Sequence, residues 1–177
     1  MGRARRGAEP MAEPIRVLLI DDEADFLEAV GFWLSSKGYQ VAQARGGAQA
    51  VALLKQTPQD VVFLDVVMPD IDGIETLRRI RAFNKTIPVV LVTTSVADES
   101  KYAGAKALGI SGLFLKGSSL DQLGQVLEVA IRMVRRSRAN LGKGSGSPPR
   151  DGGLLAILRS VRERFFPPRR SPSQTPH

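Results

Sequence analysis

Residues 61–75 read VVFLDVVMPDIDGIE, and the fold follows from how this stretch begins and ends. Val61–Leu64 is an unbroken apolar run of strand length, without the polar alternation of a strand that keeps one face in water. It stops on a carboxylate, Asp65. Asp70-Ile71-Asp72-Gly73 then reads as a turn, and Ile74, Leu77 and Ile80 recur at helical spacing, which predicts a helix over Ile74–Ala82. A strand buried on both faces and followed by a helix is the repeating unit of a parallel sheet covered by helices.

The same unit recurs on either side. Ile15–Ile20 (IRVLLI) and Val89–Val92 (VVLV) are further continuous apolar runs, Tyr39–Ala44 (YQVAQA) alternates, and Leu113–Leu115 (LFL) is a fifth, very short strand. Helices are predicted between them over Ala24–Lys37, with Gly38 as the stop, over Gln49–Gln56, and over Asp98–Leu108 before Gly109. A last helix over Leu120–Val134 carries Leu120, Leu123, Leu127, Ala130 and Val134 on one side, capped by Ser118 or Ser119. Five strands alternating with five helices predict a doubly wound α/β domain over residues 14–136, with helices on both faces of a five-stranded parallel sheet.

Charge is unevenly spread. The chain of 177 residues has a formal net charge of +7, yet residues 14–136 hold 14 basic and 14 acidic side chains. Residues 137–177 hold 8 basic and 2 acidic, and residues 1–13 hold 3 and 2, so the excess lies in the flanks. Residues 1–13 are expected to be a disordered N-terminal extension without the apolar stretch of a signal peptide. Residues 137–151, which include NLGKGSGSPPRD, are expected to be a flexible linker. Residues 152–177 form a basic tail, in which Leu154, Leu155, Leu158, Val161 and Phe165 suggest a short amphipathic helix over 152–166. With no cysteine and one histidine, His177, disulfides, thiolate sites and histidine triads are excluded; a reducing cytoplasm suits the composition.

In a parallel sheet of this kind, ligands gather outside the carboxyl ends of the strands. Asp21 and Asp22 follow the first strand, Asp65 ends the third, Thr93 ends the fourth and Lys116 ends the fifth. Taken singly these are turn formers, a β-branched strand residue and a surface charge; taken together they are three carboxylates, a hydroxyl and an ammonium at one crevice. Converging carboxylates repel unless a hard cation sits among them, and Mg2+ is the natural choice. One carboxylate could then attack phosphorus, with Lys116, Mg2+ and the Thr93 hydroxyl stabilising the phosphoryl oxygens.

The segments VLLIDDE, VVFLDVVMPDIDGIE, IPVVLVTT and LFLKGSS stand in the order and at the spacing of the response-regulator receiver family, which residues 15–136 resemble. The most specific match is Asp65-x-x-Met68-Pro69-x-x-Asp72-Gly73. The resemblance implies a flavodoxin-like strand order of 2-1-3-4-5. It further implies a switch protein of two-component signalling, not an enzyme acting on a separate substrate, with Asp65 as phosphoacceptor. Asp22 is implied as a direct Mg2+ ligand, Asp21 as one acting through water, and the Val67 carbonyl as a further ligand. Thr93 is the implied switch hydroxyl and Lys116 the phosphate-contacting lysine. The phosphoryl group would come from a histidine kinase or phosphotransfer protein and the output would be binding to a downstream target protein.

Three residues depart from the family pattern: Leu113 at the aromatic switch position with Phe114 adjacent, Gly117 in place of a proline, and Thr94 in place of a small residue. The first and third bear on the coupling between threonine and aromatic ring. Gly117 implies that the customary cis peptide after the lysine is missing.

Rival readings are weaker. A haloacid-dehalogenase-like phosphatase needs a second acid two residues after its nucleophile, where this chain has Val67. A P-loop is absent, and Gly142–Gly146 follows no strand. Asp70–Gly73 lacks the later glutamate of a calcium loop. About 40 residues beyond residue 136 leave no room for a dedicated DNA-binding domain. The basic tail could instead bind nucleic acid nonspecifically, lie on an anionic membrane or dock through residues 152–166 into a partner.

Overall fold

The computed structural model describes residues 13–94 and 99–141. The elements alternate along the chain: β1 (Arg16–Ile20), α1 (Ala24–Ser36), β2 (Gln40–Ala44), α2 (Gly47–Gln56), β3 (Val61–Asp65), α3 (Gly73–Phe83), β4 (Val89–Thr93), α4 (Glu99–Ala107), β5 (Gly112–Leu115) and α5 (Leu120–Leu141). The strands form one parallel sheet in the order β2-β1-β3-β4-β5, as expected.

Successive strand side chains point to opposite faces, and here both faces are dry. Leu18, Ile20, Val62, Leu64, Val89 and Leu91 pack with Ile74, Leu77 and Ile80 of α3, Ala50 of α2 and Ala105 of α4. Val17, Leu19, Val61, Phe63, Val90 and Val92 pack with Leu27, Val30 and Leu34 of α1 and with Leu123, Leu127 and Ala130 of α5. Double burial is why β1, β3 and β4 read as solid apolar runs. β2, an edge strand, keeps Gln40 and Gln43 exposed.

Turn chemistry follows the sequence closely. Gly38 and Gly109 take positive φ (87° and 77°) behind α1 and α4. Ser119 proves to be the cap of α5: its hydroxyl accepts from the Gln122 N–H (3.3 Å) while the Gln122 side chain accepts from the Ser119 N–H (3.2 Å), a reciprocal capping box.

Two expectations at the C-terminal side are corrected. Leu120 is 41% exposed at the start of α5, and Ile131 takes a place in the core instead. The domain also does not give way to linker at Ser137: α5 runs to Leu141, and the compact unit reaches Ala139. Arg138 supplies the reason, because its guanidinium lies 2.5 Å from Oδ1 of Asp60, whose Oδ2 accepts from the Arg16 N–H at 2.8 Å. The extra turn of helix is held by an ion pair to the loop before β3. The N-terminal extension over 1–12, the remainder of the linker and the 152–166 segment lie outside the described residues.

Candidate functional site

The parallel register brings the strand ends to one place. Ile20 of β1 pairs with Leu64 of β3, so Asp21 and Asp65 leave adjacent strands at the same level. Asp65 pairs with Val92 of β4, and Thr93, one residue on, pairs with Leu115 of β5. Lys116 follows directly, its N–H bonded to the Thr93 carbonyl at 2.7 Å. All five expected side-chain positions therefore stand at the carboxyl edge of the sheet.

Carboxylate oxygens of Asp21, Asp22 and Asp65 lie within 4.8 Å of one another. Asp21 is fully buried and Asp65 is 3% exposed, whereas Asp22 is exposed. The Lys116 ammonium crosses the site and contacts Asp21 at 2.8 Å, Asp65 at 3.1 Å and Glu23 at 2.7 Å. Burial pushes the carboxyls of Asp21 and Asp65 above the usual range, against the pull of Lys116. Burial alone would lower the lysine, but its hydrogen bonds to Asp21, Glu23 and Asp65 outweigh it and hold the ammonium charged well above its usual range.

The donor set suits a hard divalent cation. Three acids meet a single ammonium, and Oδ2 of Asp21, although close to Lys116, has no hydrogen-bond partner in good geometry while fully buried. A buried carboxylate oxygen in that condition is costly unless a cation completes it. Asp22, on the exposed side, leaves room for water in the coordination shell, as Mg2+ requires.

The loop after β3 is shaped around Asp65. Oδ1 of Asp65 accepts from the Val67 N–H at 3.4 Å, and the Val67 side chain is 63% exposed, so this residue contributes backbone. The Gly73 N–H closes the loop onto the Val66 carbonyl at 3.0 Å. A Cβ on Gly73 would collide with the Asp65 carbonyl oxygen and come within 2.8 Å of the Val66 Cα, which is why glycine opens α3. Asp72 caps that helix through the Glu75 N–H at 2.8 Å.

The sequence reading missed several contributors. Glu23 stands in the quoted VLLIDDE, where its residue type alone does not set it apart from a solvated acid. Phe26 lies one turn further on, with the Lys116 ammonium 5.0 Å from its ring centroid. Asp70 turns its carboxylate toward the N–H groups of Gly47 and Ala48, both at 3.4 Å, and so caps α2 from the neighbouring loop. Of the departures, Phe114 does not replace the aromatic residue wanted at Leu113. Leu113 packs with the α3–α4 side, while Phe114 is buried on the α1–α5 side. Gly117 has φ 87°, a conformation closed to proline.

Residues 17–128 match the family model of the response regulator receiver domain. The probable transcriptional regulatory protein TcrX of Mycobacterium tuberculosis is 37% identical over 97 residues, which is 55% of this chain and 42% of that protein. The transcriptional regulatory protein TrcR of the same organism is 32% identical over 190 residues, covering 99% of this chain and 74% of TrcR. Among solved structures, the Vibrio cholerae chemotaxis protein CheY4 is 30% identical with a TM-score of 0.62, over 65% of this chain and 97% of that one. The receiver domain of the Francisella response regulator 1452 is 28% identical with a TM-score of 0.60, over 70% and 98%. The chain spans less than two thirds of several of these curated relatives, 42% of TcrX and 30% of the Salmonella typhimurium regulator ZraR.

Proposed function

This chain belongs to the response regulator receiver family of two-component signalling, and from that premise we propose that Asp65 is its phosphoacceptor and that phosphorylation switches a protein-binding face. The observation that carries the reading is Lys116 bridging Asp21 and Asp65 at 2.8 and 3.1 Å where three aspartates converge. An ammonium already beside the nucleophile is placed to receive the oxygens of a phosphoryl group.

In the transfer, a carboxylate oxygen of Asp65 attacks phosphorus in line with the donor bond. With a phosphohistidine of a kinase or phosphotransfer protein, the P–N bond breaks and the imidazole nitrogen keeps the electron pair and takes up a proton. An acyl phosphate donor instead leaves as its carboxylate. In this reading the donor histidine belongs to a partner kinase or phosphotransfer protein. Attack requires the carboxylate form of Asp65, which burial disfavours and the Lys116 ammonium at 3.1 Å favours. The product is an acyl phosphate whose negative charge lies on the phosphoryl oxygens, for the ammonium and the Thr93 hydroxyl to stabilise. Mg2+ held by Asp22, Asp65 and the Val67 carbonyl, with Asp21 acting through water, would neutralise the phosphoryl oxygens. A phosphatase of the haloacid-dehalogenase type would need an acid where Val67 offers none.

The output face in this reading is formed by α4, β5 and α5. Leu113 holds the place of the family's switch aromatic and Phe114 is turned into the core on the other side of the sheet, so in this reading Thr93 has no switch ring to couple to. The relatives named as transcriptional regulators suggest gene control as the physiology. Beyond the receiver, we read residues 152–166 as a tethered docking segment for an acidic protein groove or an anionic membrane, and the cytoplasm as the site of action.

Intact-mass spectrometry with Mg2+ and an acyl phosphate donor tests the central assignment. The wild type should gain one hydroxylamine-labile phosphate and Asp65→Asn none; equal labelling of both would dismiss Asp65.

A further inference from the structure

The Lys116 ammonium has three N–H donors, and three carboxylates use them: Asp21 at 2.8 Å, Asp65 at 3.1 Å and Glu23 at 2.7 Å. A phosphodonor arriving at Asp65 needs this ammonium while Asp65 is still a carboxylate, so one existing contact must give way. Asp21 is fully buried, and its carboxylate has no solvent to fall back on. The Glu23 side chain is 58% exposed, so water takes over its hydrogen bonds once it swings out. Glu23 is the contact that releases at least cost.

The local structure of α1 supports the same assignment. Glu23 occupies the N-cap position, with extended φ and ψ of −77° and 108°, yet its side chain makes no capping hydrogen bond. Serine, threonine, aspartate and asparagine are the residues that cap; glutamate is too long to fold back on its own helix start. Its carboxylate reaches across to Lys116 instead, while its N–H is tied to Oδ1 of Asp21 at 2.9 Å. Phe26, within the first turn of α1, lies 5.0 Å from the same ammonium. The first turn of α1 is therefore a cup for Lys116, with Glu23 on its wet side.

Resting on the phosphoacceptor reading of Asp65, we infer that Glu23 is a release catch on Lys116, a positioning residue whose grip on the ammonium slows phosphorylation of Asp65. It acts by contact, not merely by adding negative charge near the pocket.

Two variants separate these causes. Glu23→Ala removes contact and charge together. Glu23→Asp keeps the charge but cannot reach Lys116, because the shorter carboxylate turns back to cap α1. With Mg2+ and an acyl phosphate donor of varied concentration, both variants should raise the second-order rate constant for labelling Asp65 by about two- to fivefold, the scale of one solvent-exposed ion pair. In the unphosphorylated protein, the 15N resonance of the Lys116 ammonium should shift or broaden in both. Glu23→Asp labelling at the wild-type rate would overturn the catch and leave charge alone; an unchanged ammonium resonance would overturn the contact. A wild type that takes no phosphate on Asp65 would sink the phosphoacceptor reading, which the resonance measurement does not depend on.

Discussion

Replacing Gly73 by alanine should damage this protein in a way that the same change at Gly104 does not. At Gly73 an added Cβ would meet the Asp65 carbonyl oxygen well inside contact distance, the Val66 Cα at 2.8 Å and the Asp65 carbonyl carbon at 3.0 Å. All three are backbone atoms of the loop that presents the phosphoacceptor, so no flexible side chain can swing aside. Either α3 backs away or the loop after β3 shifts, which breaks the bond from the Gly73 N–H to the Val66 carbonyl. Overpacking of this kind costs about 1–3 kcal/mol, against a gain of about 0.4–1 kcal/mol from restricting the unfolded chain. The net loss should be about 1–2 kcal/mol, which in a domain of this size lowers Tm by roughly 3–10 °C. Gly104, inside α4, has nothing within 4 Å of its Cβ position. Its replacement should stabilise by about 0.5–1 kcal/mol through helix propensity. Thermal unfolding followed by far-UV circular dichroism measures both. A Tm for Gly73→Ala equal to or above wild type would refute the close approach of α3 to the Asp65 loop.

Asp60→Asn should lower stability by about 1–3 kcal/mol at neutral pH, the range for hydrogen bonds to a charged group. Burial raises the Asp60 carboxyl, but the Arg16 N–H and the Arg138 guanidinium together hold it below its usual range. A depressed carboxylate stabilises above its unfolded pKa and loses that contribution as pH falls through the folded one. The gap between wild type and variant in urea denaturation should therefore close below about pH 4; a gap constant from pH 7 to 3 would contradict the ion pair. Lys116→Met should cost about 3–5 kcal/mol at pH 7 in chelator, because Asp21 and Asp65 lose their buried counter-charge. Their raised carboxyls destabilise the fold when ionised and cease to do so once protonated, so acidification toward pH 4.5 should recover much of the loss. An urea midpoint with no such recovery would argue against the buried triad.

The sequence alone was enough for the alternation of elements, the sheet class and the edge at which chemistry gathers. Continuous apolar runs can be buried only on two faces, and a carboxylate or ammonium at the end of such a run has nowhere to go but the mouth of the sheet. Asp21, Asp22, Asp65, Thr93 and Lys116 were legible for that reason, and the glycines after α1 and α4 because positive φ is written in residue type. What escaped was everything set by contacts between distant segments. Glu23 looks like one more solvated acid until Lys116, 93 residues away, turns toward it. Arg138 reads as linker until Asp60, 78 residues earlier, anchors it and extends α5. Phe114 stands next to the expected aromatic position in the chain but faces the other side of the sheet, because a one-residue step along a strand reverses the side chain. Periodicity records which face of an element is dry; only the folded structure decides which charges meet across it.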